Sequence, residues 1–198
     1  MTPPTSPGVL RQLVGLAATA EAMGLLSPHE AAAVLEGNGL DLTLARMAQA
    51  GIGRAAVAAL RGLLARPHGH PDRLLAPLRE LAAALEDSPL PDREWASLQR
   101  VFEAEQAARL LDVSLSSLRR YASAVRRTPA EVAGRLHWLA LVVGDLAGSY
   151  NHLGVRRWFD RKRTLLGGRS PAELLSRRWS PDDRGASRVR QLAKGLLA

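Results

Sequence analysis

The chain of 198 residues contains no cysteine, so disulfide frameworks, zinc–thiolate sites, iron–sulfur ligation and cysteine catalysis are excluded. Aromatic residues make up only 4% of the sequence, and no run alternates β-branched with polar residues, so strands are not expected. Lysine is also scarce, because Lys162 and Lys194 are the only two among 27 basic residues. Nearly all positive charge is therefore on arginine, whose planar guanidinium suits bidentate recognition of phosphate or guanine.

The sequence also lacks a long apolar run. Its most apolar stretch, Trp138–Gly144, spans seven residues, whereas a membrane-spanning helix needs about 20. Residues 1–7 carry no basic cluster, and Arg11 and Glu21 interrupt the apolar residues that follow, which is unlike a secretory signal. We therefore expect a cytoplasmic protein without a membrane partner.

Motifs of common catalytic and nucleotide-binding sites are missing as well. The sequence has no Walker-type phosphate loop, no dinucleotide-binding glycine pattern, no nucleophile elbow and no His-Glu-x-x-His. His68, His70 and Asp72 form only a weak metal-ligand pattern, and Gly167-Gly168 is explained better by a capped turn than by a phosphate cradle. We therefore expect a protein that is not an enzyme and needs neither metal nor cofactor.

The charge that is present is unevenly placed. Residues 1–100 hold nine basic and ten acidic side chains, whereas residues 101–198 hold 18 basic and nine acidic ones, so the net charge of +8 belongs to the second half. One interpretation is solubility combined with a general preference for arginine. The other is a C-terminal half that faces nucleic acid, joined to a neutral N-terminal half.

Apolar residues recur at intervals of three and four, which predicts an all-α fold. Several helix starts are marked by Ser or Thr, then Pro, then Glu at the third helical position: Ser27–Glu30, Thr128–Glu131 and Ser170–Glu173, with Ser180–Asp183 as a weaker variant. The predicted helices lie near residues 8–23, 28–36, 41–50, 54–65, 71–86, 92–101, 103–111, 115–125, 129–149, 153–160, 171–177 and 182–197.

The Pro-containing segment 87–92 predicts a boundary between two halves. We assign residues 1–90 to an N-terminal helical bundle used for self-association or partner binding. Residues 91–150 form a helix-turn-helix domain, and residues 151–198 form a small C-terminal helical domain. Apolar stripes in the bundle predict core or dimer faces; the first consists of Leu10, Leu13, Val14, Leu16 and Ala17.

Residues 103–121 are the most informative part of the second half. A short helix would turn Ala107, Leu110 and Leu111 inward, and the small Ala107 would let a second helix cross closely. Residues 112–114 would form a tight turn, with Val113 plugging the joint and Ser114 capping the next helix. That helix would bury Leu115 and Leu118 and expose serines and arginines, with Tyr121 at its side.

This stretch resembles the helix-turn-helix of bacterial transcription regulators, in which the second helix enters the major groove of double-stranded DNA. The resemblance implies that Ser116, Ser117 and Arg120 reach base edges. The residues it implies for phosphate contact are Ser114, Arg119, Tyr121, Arg126 and Arg127. Two alternatives are a plain helical hairpin with a solvated basic face and a helix-turn-helix that contacts only proteins.

The last 50 residues carry a second pattern. Trp158-Phe159 precedes a basic loop, Leu166-Gly167-Gly168 is followed by Ser170-Pro171, and an amphipathic helix through Val189 and Leu192 closes the segment. Two glycines permit positive φ and a sharp reversal, and Ser-Pro restarts a helix at once. We expect Trp158 and Phe159 to pack inside this unit, and His137 and Asp145 on the preceding helix to be structural or solvated.

This pattern resembles the toxin-binding domain of Xre/MbcA/ParS-type antitoxins from about residue 100 onward. The resemblance implies contact with a cognate toxin, in that family often an NAD-degrading enzyme of the RES type. The implied toxin-binding residues are Trp158, Phe159, Arg163, Leu166, Gly167, Gly168, Pro171, Leu174, Leu175, Val189 and Leu192. Residues 1–100 fall outside the resemblance, and Trp179–Gly185 is an insertion-like departure from it.

The combined prediction is an antitoxin-like homodimer that binds operator DNA through residues 115–125 and a toxin through residues 150–198. One alternative is a stand-alone transcription regulator without a toxin. Another is a protein-interaction module that no longer binds DNA.

Overall fold

The computed structural model describes residues 6–66, 71–175 and 178–196, and this part of the chain is all α-helical, as predicted. Across these ranges the only β feature is an isolated bridge between Arg163 and Arg169. His68 and His70 of the weak metal-ligand pattern lie outside the described residues. Within them, no three His, Asp or Glu side chains are grouped to hold a metal ion.

The chain divides into two compact units, residues 1–89 and 90–198. The change from one unit to the other lies in the Pro-containing segment 87–92. Residue 150, where we placed a second boundary, lies inside the second unit. The helix-turn-helix and the C-terminal segment are thus parts of one compact unit.

In the first unit, the part of the chain that the structure describes forms five α-helices and a short 3₁₀ turn at Pro71–Leu74. The helices are α1 (Pro7–Ala22), α2 (Pro28–Leu35), α3 (Leu40–Gln49), α4 (Arg54–Leu64) and α5 (Leu75–Glu86). Helix α1 packs against α2 and α5, and α4 packs against α3 and α5.

The core face of α1 differs by one position from the predicted stripe. Leu10 is 41% exposed, whereas Val9, Leu13 and Leu16 are buried. Residues 9, 13, 16 and 20 repeat with the 3.6-residue period of a helix, so Val9 takes the place that we gave to Leu10.

The described residues of the second unit form seven α-helices and a 3₁₀ turn at Thr164–Leu166. The helices are α6 (Pro91–Val101), α7 (Ala104–Leu111), α8 (Leu115–Ala122), α9 (Ala130–Ala147), α10 (His152–Asp160), α11 (Pro171–Leu174) and α12 (Arg184–Lys194). Helix α9 is the central helix, because it packs against α6, α7, α10 and α12 and buries twelve of its residues. No helix in the described ranges is both long enough and apolar enough to span a bilayer.

Two of the predicted helix starts are confirmed as capping boxes. Ser27 accepts a hydrogen bond from the Glu30 amide while Glu30 accepts one from the Ser27 amide, and Ser170 and Glu173 do the same. The pKa of Glu30 is lowered to about 2, mainly by the hydrogen bond from the Ser27 amide and next by the guanidinium of Arg46, which lies 2.9 Å away. The Ser170 amide lowers the pKa of Glu173 in the same way.

The other two predicted caps are wrong. Thr128 accepts a hydrogen bond from the indole of Trp95 at 2.9 Å, so α9 begins at Ala130 without a side-chain cap. At the last helix, Asp183 occupies the N-cap, and its carboxylate accepts a hydrogen bond from the Ser180 amide at 2.7 Å. Helix α12 therefore begins two residues later than predicted.

Candidate functional site

Helices α7 and α8 form the predicted helix–turn–helix pair. Asp112 ends α7 with φ 54°, a left-handed conformation that Asp tolerates better than most residues. Ser114 then accepts a hydrogen bond from the Ser117 amide at 3.2 Å, which confirms the predicted cap of α8. Val113 is half-buried between the two helices. Together these residues turn the chain within three positions.

The buried sides of the two helices are largely as predicted. Ala107, Leu110 and Leu111 of α7 are buried, and so is Leu118 of α8, whereas Leu115 is only half-buried. Because these apolar side chains fix the inner side of α8, its opposite side faces solvent.

The solvent side of α8 is basic. Ser116, Arg119 and Arg120 are exposed, and Ser117 is half-exposed. Nε of Arg120 donates to the carbonyl oxygen of Ser116 at 3.2 Å, which holds this side chain along the first turn of α8. Across the described ranges, neither arginine forms an ion pair with an acidic side chain. Their positive charge is therefore uncompensated by acidic side chains in this described part of the chain.

Three serine hydroxyls cluster where α8 begins. The Ser114 hydroxyl, besides capping the helix, lies 3.1 Å from Oγ of Ser116 and donates to Oγ of Ser117 at 3.0 Å. Ser114 is thus used mainly to hold the turn, and Ser116 is more exposed than Ser117.

Helix α8 ends at Ala122, three residues before the predicted end at 125. Ala124 adopts φ 56°, and the Arg126 amide donates to the carbonyl oxygen of Arg120 at 3.0 Å, so the chain reverses. The reversal exposes Arg126 and Arg127, neither of which forms an ion pair in the part of the chain that the structure describes. It also leaves Val125 77% exposed.

Tyr121, which we placed at the side of α8 as a candidate phosphate contact, has little surface open to solvent. It is buried, and its ring stacks on Trp95 with a centroid separation of 6.3 Å. The guanidinium of Arg126 lies 5.7 Å from the ring centroid of Tyr121, a cation–π distance. Tyr121 is therefore a residue that positions Arg126 rather than an exposed phosphate contact.

Trp179, the first residue of the insertion-like segment, lies in the core. Trp179 is 3% exposed, and its indole packs edge-on against Trp138 at 4.9 Å. Its N–H donates to the carbonyl oxygen of Leu110 at 2.8 Å, one of the carbonyls that a helix end leaves unpaired. Sequence analysis missed this contact, because the residues 180–185 that follow Trp179 have the composition of a loop.

Two further groups donate hydrogen bonds at the C-terminal end of α7. Buried Arg135 donates to the carbonyl oxygens of Leu111 at 3.1 Å and Trp179 at 2.7 Å. The backbone amide of Arg178 donates to the carboxylate of Asp112 at 2.9 Å. The turn between α7 and α8 is therefore held by residues far away in the sequence.

A polar network joins α7 to α10. Arg109 pairs with Asp160 at 2.6 Å, and the amide of Gln106 donates to the carbonyl oxygen of Arg156 and to Asp160, both at 3.0 Å. Arg156 in turn pairs with Glu103. The predicted DNA-binding and toxin-binding segments thus share one packed surface.

Most of the implied toxin-binding residues lie in the core of the second unit. The expectation that Trp158 and Phe159 are packed inside is confirmed, and the guanidinium of Arg163 lies 5.0 Å from the Trp158 ring centroid. The others with buried side chains are Leu166, Pro171, Leu175 and Val189. Leu174 and Leu192 are half-buried.

The exposed members of this set are Gly167 and Gly168. Both have positive φ, 71° and 76°, as predicted. The Arg163 amide donates to the carbonyl oxygen of Arg169, and the Gly168 amide donates to that of Arg163, both at 3.0 Å. These bonds close a tight loop over residues 163–169.

Leu165 at the tip of this loop was missed by sequence analysis. It is 75% exposed although the adjacent Leu166 is buried, and its carbonyl oxygen accepts a hydrogen bond from Arg188 at 2.9 Å. No local signal distinguished Leu165 from Leu166, because the adjacent leucines Leu110 and Leu111 of the same unit are both buried. We name residues 161–169 the basic loop, because Arg161, Lys162 and Arg169 are also exposed.

His137 and Asp145 are structural. Nδ1 of His137 lies 2.6 Å from Oε1 of Glu94, and both side chains are buried between α6 and α9. Asp145 lies 3.4 Å from Arg190 of α12.

A scan against protein-family models, a search of curated proteins and a search of solved structures each found no match for this chain.

Proposed function

We propose that the protein binds double-stranded DNA by inserting α8 into the major groove. The observation that carries the proposal is the solvent side of α8, where arginines without acidic partners stand on a helix whose start is capped and whose inner side is fixed. DNA phosphates supply the negative charge that this surface lacks, and the release of their counterions drives binding.

Within this proposal the residues have different tasks. Ser116, Ser117 and Arg120 contact base edges, because they lie along the first turns of α8. The phosphate contacts come from Arg119, Arg126 and Arg127. Ser114 and Tyr121 act indirectly: Ser114 caps α8, and Tyr121 positions Arg126. A homodimer would place two copies of α8 in successive major grooves, about 34 Å apart.

A salt titration tests the proposal. With three arginine–phosphate contacts in each protomer of a dimer, log affinity falls with log salt concentration with a slope of about −5. Arg119→Ala reduces the slope by about 2 per dimer, whereas Arg120→Ala relaxes sequence preference. The matched control is Arg54→Ala with Arg61→Ala, two exposed residues of the first unit.

The control variant keeps the wild-type slope while removing two positive charges per protomer. A wild-type slope near zero, or equal losses in the Arg119 and control variants, would contradict DNA binding through α8. Loss of partner binding in Arg119→Ala and Arg120→Ala without any DNA binding in the wild type would favour the interaction-module alternative.

We propose as a second function that the basic loop contacts a protein toxin and neutralises it. This proposal is supported by the resemblance to Xre/MbcA/ParS-type antitoxins and by Leu165, an exposed apolar side chain on a loop fixed by hydrogen bonds. A rigid apolar tip with a polar rim is suited to anchor a protein interface. The protein then acts by binding and not by catalysis.

The toxin proposal is tested by co-expression with the product of the adjoining reading frame. Wild-type protein restores growth, and Leu165→Asp does not. Leu153→Asp is the matched control, because Leu153 is also exposed but lies on α10. An adjoining product that is not toxic, together with retained DNA binding, favours the stand-alone regulator.

A further inference from the structure

A cavity of about 180 Å³ lies inside the second unit, on the inner side of the helix–turn–helix pair. Four helices supply its walls: Trp95 and Leu98 come from α6, Leu111 from α7, Leu118 from α8 and Leu139 from α9. Each of these side chains is at most 3% exposed. These five buried side chains therefore give the cavity mainly apolar walls.

The lining of the cavity also includes polar groups. Gln99 and Glu103 are exposed and form its mouth. Glu103 is already paired with Arg156, and the indole N–H of Trp95 is already donated to Thr128. A buried water requires two to four polar partners, and the buried side chains that line the cavity are hydrocarbon apart from the indole N–H of Trp95, so they offer a water few partners.

We propose that this cavity is a binding site for a small uncharged aromatic molecule between benzene and indole in size. An apolar protein cavity of about 150 Å³ is large enough to bind benzene. The faces of the ring would contact Leu98, Leu118 and Leu139. The amide of Gln99 at the mouth can bond one polar substituent, such as an indole N–H or a phenol hydroxyl.

The position of the cavity connects the ligand to α8. Leu118 is the fully buried leucine of α8, so a ring that packs against it restricts how α8 shifts against α6 and α9. A consequence for DNA affinity rests on the proposed function, but ligand binding does not, and the two are measured separately.

The experiment is thermal unfolding of the full chain, measured by calorimetry with benzene and then with indole as probes. A ligand at ten times its dissociation constant raises the melting temperature of the second unit by about 5 °C. Ala104→Leu places a larger side chain at the mouth and abolishes this shift. Ala96→Leu adds the same atoms to an exposed position of α6 and leaves the shift unchanged.

The wild-type titration decides the proposal even where a variant folds poorly. A melting temperature that does not respond to either probe up to its solubility limit overturns it. Equal shifts in the wild type and in a folded Ala104→Leu variant place the ligand elsewhere and also overturn it. A shift in the wild type without any DNA binding supports the ligand site and counts against the proposed function alone.

Discussion

Replacing Trp179 tests whether the C-terminal segment holds the helix–turn–helix pair. Trp179→Ala removes a 3%-exposed indole and the bond to the carbonyl oxygen of Leu110. Large-to-small changes of buried Trp cost about 3–5 kcal/mol. Trp179→Phe keeps most of the packing but leaves that carbonyl without its donor, at a cost of about 1–3 kcal/mol. We therefore expect two distinct losses, with Ala the larger.

The assay is urea unfolding followed by tryptophan fluorescence. All four tryptophans lie in residues 90–198, so this signal reports the second unit alone. Three tryptophans remain in either variant. Arg178→Ala is the control, because Arg178 contributes its backbone amide to Asp112 and its side chain is exposed.

Because single domains have stabilities of about 5–15 kcal/mol, Trp179→Ala removes a large share of the stability of this unit and weakens DNA binding with it. A loss below about 1 kcal/mol in Trp179→Ala would refute the reasoning. So would equal losses in the Phe and Ala variants.

Three smaller predictions concern the backbone and one carboxylate. Ala124→Gly removes the strain of a left-handed alanine at φ 56° and raises the free energy of unfolding by about 1 kcal/mol. Ala122→Gly, inside α8, lowers the free energy of unfolding by a similar amount. The midpoints of urea unfolding measure both changes. Gly168→Ala costs about 1 kcal/mol through its φ of 76° alone, because no atom lies within 4 Å of the added Cβ, and the same urea midpoints show this. The pKa of Glu30 is about 2 in the folded protein and ordinary when unfolded, so the charged form contributes stability that is complete above pH 5 and is lost as pH falls toward 2. Glu30→Gln is therefore less stable than wild type at pH 6, and the difference in thermal unfolding narrows as pH falls from 5 through 2; a difference independent of pH would contradict this.

Local patterns predicted the helices well, because helix starts and apolar periodicity are encoded within a few residues. Ser27 and Ser170 confirm this, since each cap and its Glu partner lie within one turn. Thr128 has the same pattern, but a tertiary partner, Trp95, takes its hydroxyl. A cap can thus be read locally only where nothing distant competes for the side chain.

The helices, turn and exposed arginines of the candidate site were predictable from the sequence, whereas the tertiary contacts that hold them in place were not. The turn, the cap at Ser114 and the exposed arginines of α8 follow from a stretch of about 20 residues. The burial of Tyr121 was not predicted, because its stacking on Trp95 depends on how α6 crosses α8. Trp179 and Leu165 were missed because burial of the first and exposure of the second depend on packing between distant segments.

The bond from Trp179 to Leu110 has a consequence for the order of events during synthesis. The two residues are separated by 69 positions, which a ribosome adds in roughly 3–14 s at 5–20 residues per second. Until then the end of α7 has neither its indole donor nor the Arg178 amide. Under the proposed function, a nascent or prematurely terminated chain would not yet hold α8 in place for the operator. Only a chain that already carries the basic loop would then repress transcription.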